Sequence, residues 1–124
     1  MITTKRLVRI KPSFDITAWK YMRLSAILLV PLVWTHTIIN TLITGPENIN
    51  LDYVAMHWAN MGWRVYDILL LMFAFSHGVS GLRQVLFDFT ANAATRKFLN
   101  ILLLFFWVLL SIIGSSAIIG GIEK

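Results

Sequence analysis

The stretch LLLMFAFSHGVSGLRQVLFDF, residues 69–89, decides the fold of this chain. No lysine, arginine, aspartate or glutamate lies between Asp67 and Arg83, so the run is as apolar as a membrane helix. One imidazole, that of His77, interrupts it. Small residues surround this histidine at Ser76, Gly78, Ser80 and Gly81. An ionisable side chain inside a membrane helix is costly to bury alone, so it indicates a functional site by default.

The small residues beside His77 leave room for a close helix or for a flat, bulky group. Haem is the obvious flat group, because neutral imidazole is a common axial ligand of haem iron. The alternative is a histidine that is hydrogen-bonded across a helix contact and binds no cofactor. The neighbouring glycines and the terminal Asp88 favour the haem ligand.

The composition is that of an integral membrane protein. Hydrophobic residues make up 57% of the 124 residues and charged residues only 14%, against about 25% in typical soluble proteins. The net charge of +5 could suit nucleic acid, but the basic residues cluster at predicted membrane edges, which excludes a nucleic-acid-binding function. Cysteine is absent, so we expect no disulfide, thiolate metal site or iron–sulfur cluster on this chain.

Three transmembrane helices are predicted, at about 22–43, 63–87 and 98–120, because roughly 20 apolar residues cross a ~30 Å hydrocarbon core. A basic segment, 1–20, precedes them. A short surface helix should begin near Asp52, its predicted N-cap. We therefore expect an all-α protein with one membrane-anchor domain, residues 1–124, whose three spans form half of a haem-binding helical bundle.

The distribution of lysine and arginine predicts the orientation of the spans. The N-terminal segment and the loop 88–97 hold nearly all of these residues, whereas the first interhelical loop holds Arg64 beside Glu47 and Asp52. The positive-inside rule then places the N-terminus in the cytoplasm and the C-terminus outside. The basic segment could rest on anionic lipid or dock a soluble partner. His57, in the first loop, is predicted to contact headgroups or solvent.

A second histidine, His36, lies in the first span, roughly 20 Å along the helix from Arg23 at ~1.5 Å per residue. His36 and His77 should therefore lie at different depths, where they cannot ligate one iron together. Each would need an imidazole from another chain, so the sequence looks like half of a cytochrome. For His36, a ligand role and local hydrogen bonding by Thr35 and Thr37 stand equal.

Polar residues also gather toward the predicted cytoplasmic border, at Arg23 and Ser25 of the first span and at Arg83 and Asp88 of the second. A quinone headgroup needs hydrogen-bond donors and a proton route just inside this border. The arginines could instead pair with haem propionates or extend to the lipid headgroups.

The segment HGVSGLRQVLFDF resembles the second-helix signature of the small membrane anchor subunits of succinate dehydrogenase. That signature is a histidine, a glycine four residues later, and an aspartate followed by an aromatic residue, here His77, Gly81, Asp88 and Phe89. The first span, MRLSAILLVPLVWTH, is similar to the D-type anchor of bacterial enzymes, in which an arginine and a serine open the helix and a histidine follows. The resemblance covers roughly residues 20–90.

The resemblance implies a subunit of succinate:quinone oxidoreductase in the bacterial cytoplasmic membrane. Its partners would be a flavoprotein subunit, an iron–sulfur subunit and a second membrane anchor subunit, and no flavin or succinate chemistry would occur on this chain. One or two haems b would be shared with the second anchor, with His77 as one axial ligand and His36 as the ligand of a second haem. Arg23, Arg83 and Gly81 would lie beside the cofactor.

The resemblance also implies a quinone site at Asp88 and Phe89, to which Ser25 is added because of its predicted level near the cytoplasmic border. Phe89 stands where the family has a tyrosine that donates to a quinone oxygen, so the quinone would be held differently or would be menaquinone. Two alternatives stay open. The chain could be a haem-free structural anchor of a membrane complex, or the same anchor in a fumarate reductase.

Overall fold

The computed structural model describes residues 13–121, and this part of the chain is helical without strands. Residues 1–12 lie outside the described part, so most of the predicted basic segment does too. The α-helices are α1 (Phe14–Ile38), α2 (Leu51–Ala59), α3 (Met61–Asp88) and α4 (Ala93–Gly120).

Three helical segments are long and apolar enough to cross a membrane: Phe14–Thr44, Met61–Asp88 and Ala93–Gly120. The two of 28 residues are each ~42 Å long at ~1.5 Å per residue, more than the ~30 Å of a hydrocarbon core. The predicted all-α fold with three transmembrane helices is therefore confirmed. The predicted spans lie inside these segments, but helix α1 begins earlier, at Phe14.

Helix α1 begins where Ser13 caps it, its hydroxyl accepting a hydrogen bond from the backbone N–H of Ile16 at 3.3 Å. The helix continues through Pro31 and then widens into a π-helical segment, Ile39–Thr44. Gly45 ends the segment with φ +80°, a left-handed conformation that favours glycine.

Helix α2 is capped by Asn50, whose side-chain oxygen accepts from the N–H of Tyr53 at 2.8 Å. Asp52, the predicted cap, lies instead in the first turn of the helix. Asn50 has the extended backbone that an N-cap needs. Asn60 then separates α2 from α3 and caps α3, accepting from the N–H of Gly62 at 2.9 Å.

Helix α3 is the central helix, and α1 and α4 both pack against it. Helix α3 runs antiparallel to both α1 and α4. We call the end where α1 and α4 begin and α3 ends the near end, and the end that carries α2 the far end. Helices α3 and α4 approach closely at Gly114, where an added Cβ would lie 2.5 Å from Cδ2 of Leu71.

Little of the described part is buried. The buried residues are Ser25, Leu103, Ser111 and Ile118, and large apolar side chains are exposed along all three long helices. Soluble monomers rarely expose contiguous apolar surface on this scale. The surface therefore suits lipid and partner helices.

Candidate functional site

His77 lies in the middle of α3, and its imidazole contacts α1. Its Nδ1 is 2.8 Å from the hydroxyl oxygen of Ser25. The same hydroxyl donates to the backbone carbonyl of Met22 at 3.1 Å. Ser25 is only 1% exposed, so two of its hydrogen-bonding directions are satisfied inside the protein, as a buried hydroxyl requires. The contact places Ser25 and His77 at one level of the membrane.

An apolar groove of ≈ 280 Å³ opens beside His77. Apart from His77, the residues that line it all belong to α1: Ala26, Leu29, Val30, Val33 and Trp34. The Trp34 side chain is 65% exposed. His77 is thus the polar residue of an otherwise apolar wall to which α4 contributes no side chain.

The two glycines that follow His77 in the sequence, Gly78 and Gly81, have different surroundings. A Cβ on Gly78 would meet nothing within 4 Å. A Cβ on Gly81 would lie 3.4 Å from Cε of Met22, so Gly81 lies at the contact between α1 and α3. Gly78 therefore faces space outside this chain, whereas Gly81 is at a helix contact.

A second hydrogen bond joins α1 to α3 next to His77, between the hydroxyls of Tyr21 and Ser76. Ser76 also borders a cavity of ≈ 450 Å³ between the start of α1, α3 and α4. The cavity is mostly apolar, with Arg83 and Asn100 at its polar side.

Arg83 is held within the chain at the near end. Its Nε donates to Oδ1 of Asn100 at 2.7 Å and its Nη2 to Oδ1 of Asp15 at 2.8 Å. The guanidinium also lies over the rings of Phe14 and Phe87, 4.8 and 4.3 Å from their centroids. Its side chain is only 13% exposed. Arg83 therefore connects all three long helices.

The residues predicted to hold a quinone do not form one cluster within this chain. Ser25 lies level with His77, which is eleven residues before Asp88 on α3, or ~16 Å along the helix. Asp88 and Phe89 are exposed at the near end, Phe89 by 86%. Arg23 is exposed and lies over the Trp19 ring at 4.8 Å.

At the far end, the carboxylate of Asp67 joins α1, α2 and α3. Its Oδ2 accepts from the indole Nε1 of Trp58 at 2.8 Å and lies 3.4 Å from Nε2 of His57. Its Oδ1 lies 3.6 Å from Nδ1 of His36. The Asp67 side chain is 12% exposed and that of His36 is 45% exposed. His36 follows Ser25 by eleven residues on α1, so the two lie ~16 Å apart along the helix.

Two aromatic rings pack against His57 beside this carboxylate. His57 stacks on Trp63 and Tyr53, with centroid distances of 4.9 and 5.8 Å. A cavity of ≈ 270 Å³ lies beside Asp67, lined by apolar side chains together with His36, Asn40 and His57. Within residues 13–121, no three histidine, cysteine or acidic side chains are placed to hold a metal ion. The hydrogen bond and the stacked rings hold α2 against α3 at the far end.

A comparison with protein families then gives a match that covers nearly the whole chain. The model of the succinate dehydrogenase/fumarate reductase transmembrane subunit matches residues 3–115 of the 124. The chain belongs to this family. The predicted membrane anchor subunit of succinate dehydrogenase, of the cytochrome b family, is therefore confirmed. A comparison with curated proteins gives no match.

As a succinate dehydrogenase/fumarate reductase transmembrane subunit, the chain is a multi-pass membrane protein and part of an oxidoreductase complex. It associates with the other subunits of that complex. The exposed apolar helix faces are consistent with this assembly.

Two features of the anchor subunit were not predicted from the sequence. Asp67 was treated only as the edge of an apolar run, although an acid within a membrane helix is itself a signal of a specific partner. The pairing of Ser25 with His77 has no sequence motif, because it depends on how α1 and α3 align. His57, predicted at a headgroup surface, instead contacts Asp67 and two aromatic rings.

Proposed function

We propose that this anchor subunit holds haem b between itself and a second anchor subunit of a succinate:quinone oxidoreductase, with His77 as one axial ligand. The observation that carries the proposal is the setting of His77. Ser25 engages its Nδ1, while the ring borders a groove whose other side chains are apolar.

The hydrogen bond to Ser25 satisfies only one of the two imidazole nitrogens. Within residues 13–121, no hydrogen bond engages the other nitrogen, Nε2. If the imidazole only joined two helices, its Nε2 would need water as a hydrogen-bond partner, and a membrane interior lacks water. A purely structural role would therefore leave Nε2 without a partner. A ligand nitrogen beside an apolar groove fits a flat, apolar macrocycle, and the open space at Gly78 leaves room for it.

When bound, haem supplies one-electron transfer between the iron–sulfur subunit and quinone. This chain would supply the axial imidazole, an apolar wall and burial, which are the means by which a protein tunes such a group. Since one imidazole lies at each depth, the opposing ligand would come from the second anchor subunit. No succinate chemistry is proposed on this chain.

His36 is proposed as the ligand of a second haem, at the far end. Its Nδ1 faces Asp67, and carboxylates often orient ligand histidines in this way. Its side chain is 45% exposed, which suits a ligand to a group held outside this chain. The number of haems per flavin in the purified complex tests this assignment, because two haems are expected with His36 as a ligand and one without it.

A quinone site is proposed at the near end, where the iron–sulfur subunit and the second anchor would complete it. Asp88 is exposed there and can act as proton carrier, whereas Arg83 is already bound to Asp15 and Asn100. Arg23, two residues before Ser25 on α1, is exposed deeper in the bundle and could donate only to a headgroup that reaches that level. Phe89 offers an exposed ring but no hydroxyl, which suits menaquinone held by ring contacts.

We infer that the near end faces the cytoplasm of a bacterial cell. In the described part, lysine and arginine concentrate there, at Lys20, Arg23, Arg83, Arg96 and Lys97, while the far end carries Glu47, Asp52 and Asp67 with one arginine, Arg64. The positive-inside rule then puts the N-terminus in the cytoplasm and the C-terminus outside. The flavoprotein and iron–sulfur subunits would dock at this near end.

The test is His77→Ala in the intact, purified complex, with His57→Ala as the matched histidine control. His77→Ala should remove a b-type absorption band and lower haem in a pyridine haemochrome assay, whereas His57→Ala should keep both. A wild-type complex without haem would instead support a structural anchor. Unchanged haem in the His77 variant would exclude the ligand role.

A further inference from the structure

We propose that Ser25 is a positioning residue for His77: its hydroxyl holds the imidazole in the tautomer whose Nε2 presents a lone pair to iron. The inference rests on the proposed function, since it assigns a role to Ser25 only if His77 is a ligand. It places Ser25 with the imidazole and not at the quinone.

The proton count of the Ser25 hydroxyl supports this tautomer. A hydroxyl has one proton to donate and two lone pairs that can accept. The carbonyl of Met22, 3.1 Å away, carries no proton and can only accept. With the hydroxyl proton directed to Met22, the Nδ1 of His77 at 2.8 Å must be the donor. A neutral imidazole has one N–H, so Nε2 is left with the lone pair.

The reverse arrangement is disfavoured by the surroundings of His77. If Ser25 donated to Nδ1, the ring proton would be on Nε2, beside a groove lined by Ala26, Leu29 and other apolar side chains. That N–H would have no acceptor among the side chains that line the groove, and a protonated nitrogen cannot ligate iron. The arrangement with Nδ1 as donor is therefore the one in which His77 can act as a ligand.

The burial of Ser25 makes it an effective positioning group. At 1% exposure it is shielded from water and from lipid headgroups, so neither competes for its hydroxyl. The two bonds to Met22 and His77 also use its donor and one acceptor. Ser80, three residues after His77 on α3, lines the separate cavity between α1, α3 and α4 and provides a matched serine without a hydrogen bond to the imidazole.

The bond has a measurable consequence for bound haem. A hydrogen-bond acceptor for the non-coordinating N–H of a ligand histidine raises the basicity of the coordinating nitrogen and fixes the ring orientation. A more basic ligand favours ferric over ferrous iron. Removing the acceptor should raise the midpoint potential and weaken haem binding, by roughly 10- to 100-fold on the precedent of metal–histidine sites.

The experiment compares Ser25→Ala, Ser25→Thr and Ser80→Ala in the intact complex. Redox titration gives the midpoint potential, electron paramagnetic resonance gives the ferric low-spin signal, and transfer to apomyoglobin gives haem retention. Ser25→Ala should raise the potential, shift the signal and speed transfer, whereas Ser80→Ala should match wild type. Ser25→Thr keeps a hydroxyl that can bond the same helix carbonyl and should restore most of the effect.

Each outcome separates the two proposals. If Ser25→Ala leaves the potential, signal and transfer unchanged while His77→Ala removes haem, the positioning role is overturned and the ligand role stands. If His77→Ala keeps haem, the ligand role fails and the positioning role with it. If Ser25→Ala does not assemble, Ser25→Cys decides, because its weaker acceptor must shift the potential upward for the proposal to hold.

Discussion

The indole Nε1 of Trp58 donates to the carboxylate of Asp67 at 2.8 Å, and this bond ties α2 to α3 at the far end. Arg64 strengthens the corner, since its Nε donates to the backbone carbonyl of Trp58 at 2.9 Å. The carboxylate also faces His57 and His36. A single acid on α3 thus has partners from two other helices, α1 and α2.

We expect Asp67→Ala to destabilise the complex by about 1–3 kcal/mol, because it leaves the Trp58 donor without its acceptor in a largely buried place. Asp67→Asn keeps an oxygen that can accept the same bond and should cost less. Thermal unfolding of the purified complex measures both changes.

Trp58→Phe is the matched control for that prediction. It removes the donor but leaves a ring, so the Asp67→Ala and Trp58→Phe effects should be less than additive in the double variant. Strict additivity would show that the bond does not couple the two residues.

The three spans could be predicted from sequence because apolar length alone specifies a membrane helix. The helix boundaries could not. Ser13 caps α1 early enough that the helix begins at Phe14, before its apolar stretch, and Asn50 rather than Asp52 caps α2. Several capping residues lie close together in each region, and the backbone conformation that selects among them is set by the folded loop.

The candidate site shows the same division. His77 was identifiable because an ionisable side chain within an apolar membrane helix usually has a functional role. Sequence position placed its partner Ser25 near the border, at the predicted quinone site, because the alignment of α1 with α3 is not encoded in either helix alone. Asp67 was missed because it stood at the edge of the predicted span and its partners come from separate segments.

A second prediction concerns the two partners of Arg83. The Asp15 carboxylate is 76% exposed whereas the arginine is 13% exposed. An ion pair with one exposed member contributes about 0–1 kcal/mol, so Asp15→Ala should change the free energy of unfolding little. Asn100→Ala should cost about 1–3 kcal/mol, because it leaves a mostly buried N–H without its acceptor.

Thermal unfolding of the complex checks the order of these two effects, with Lys97→Ala as a control at an exposed near-end residue. A larger loss of stability for Asp15→Ala than for Asn100→Ala would show that the exposed ion pair, and not the bond to Asn100, mainly holds Arg83.

The last prediction uses the two glycines beside His77 to separate a partner surface from a helix contact. Gly81→Ala should be tolerated, because its Cβ would make an ordinary contact with Met22 at 3.4 Å. Gly81→Leu should overpack the contact between α1 and α3 and cost about 1–3 kcal/mol, seen as a lower unfolding temperature.

Gly78→Leu should behave differently, because nothing in this chain lies within 4 Å of the added Cβ. The chain itself should still insert and fold, while the proposed haem and second anchor subunit are displaced from that face. Haem content and recovery of the second anchor in the purified complex measure this, with Gly78→Ala as the small control. Full recovery of both in Gly78→Leu would mean that Gly78 faces lipid, and the cofactor would then have to lie along the α1 side of the His77 groove.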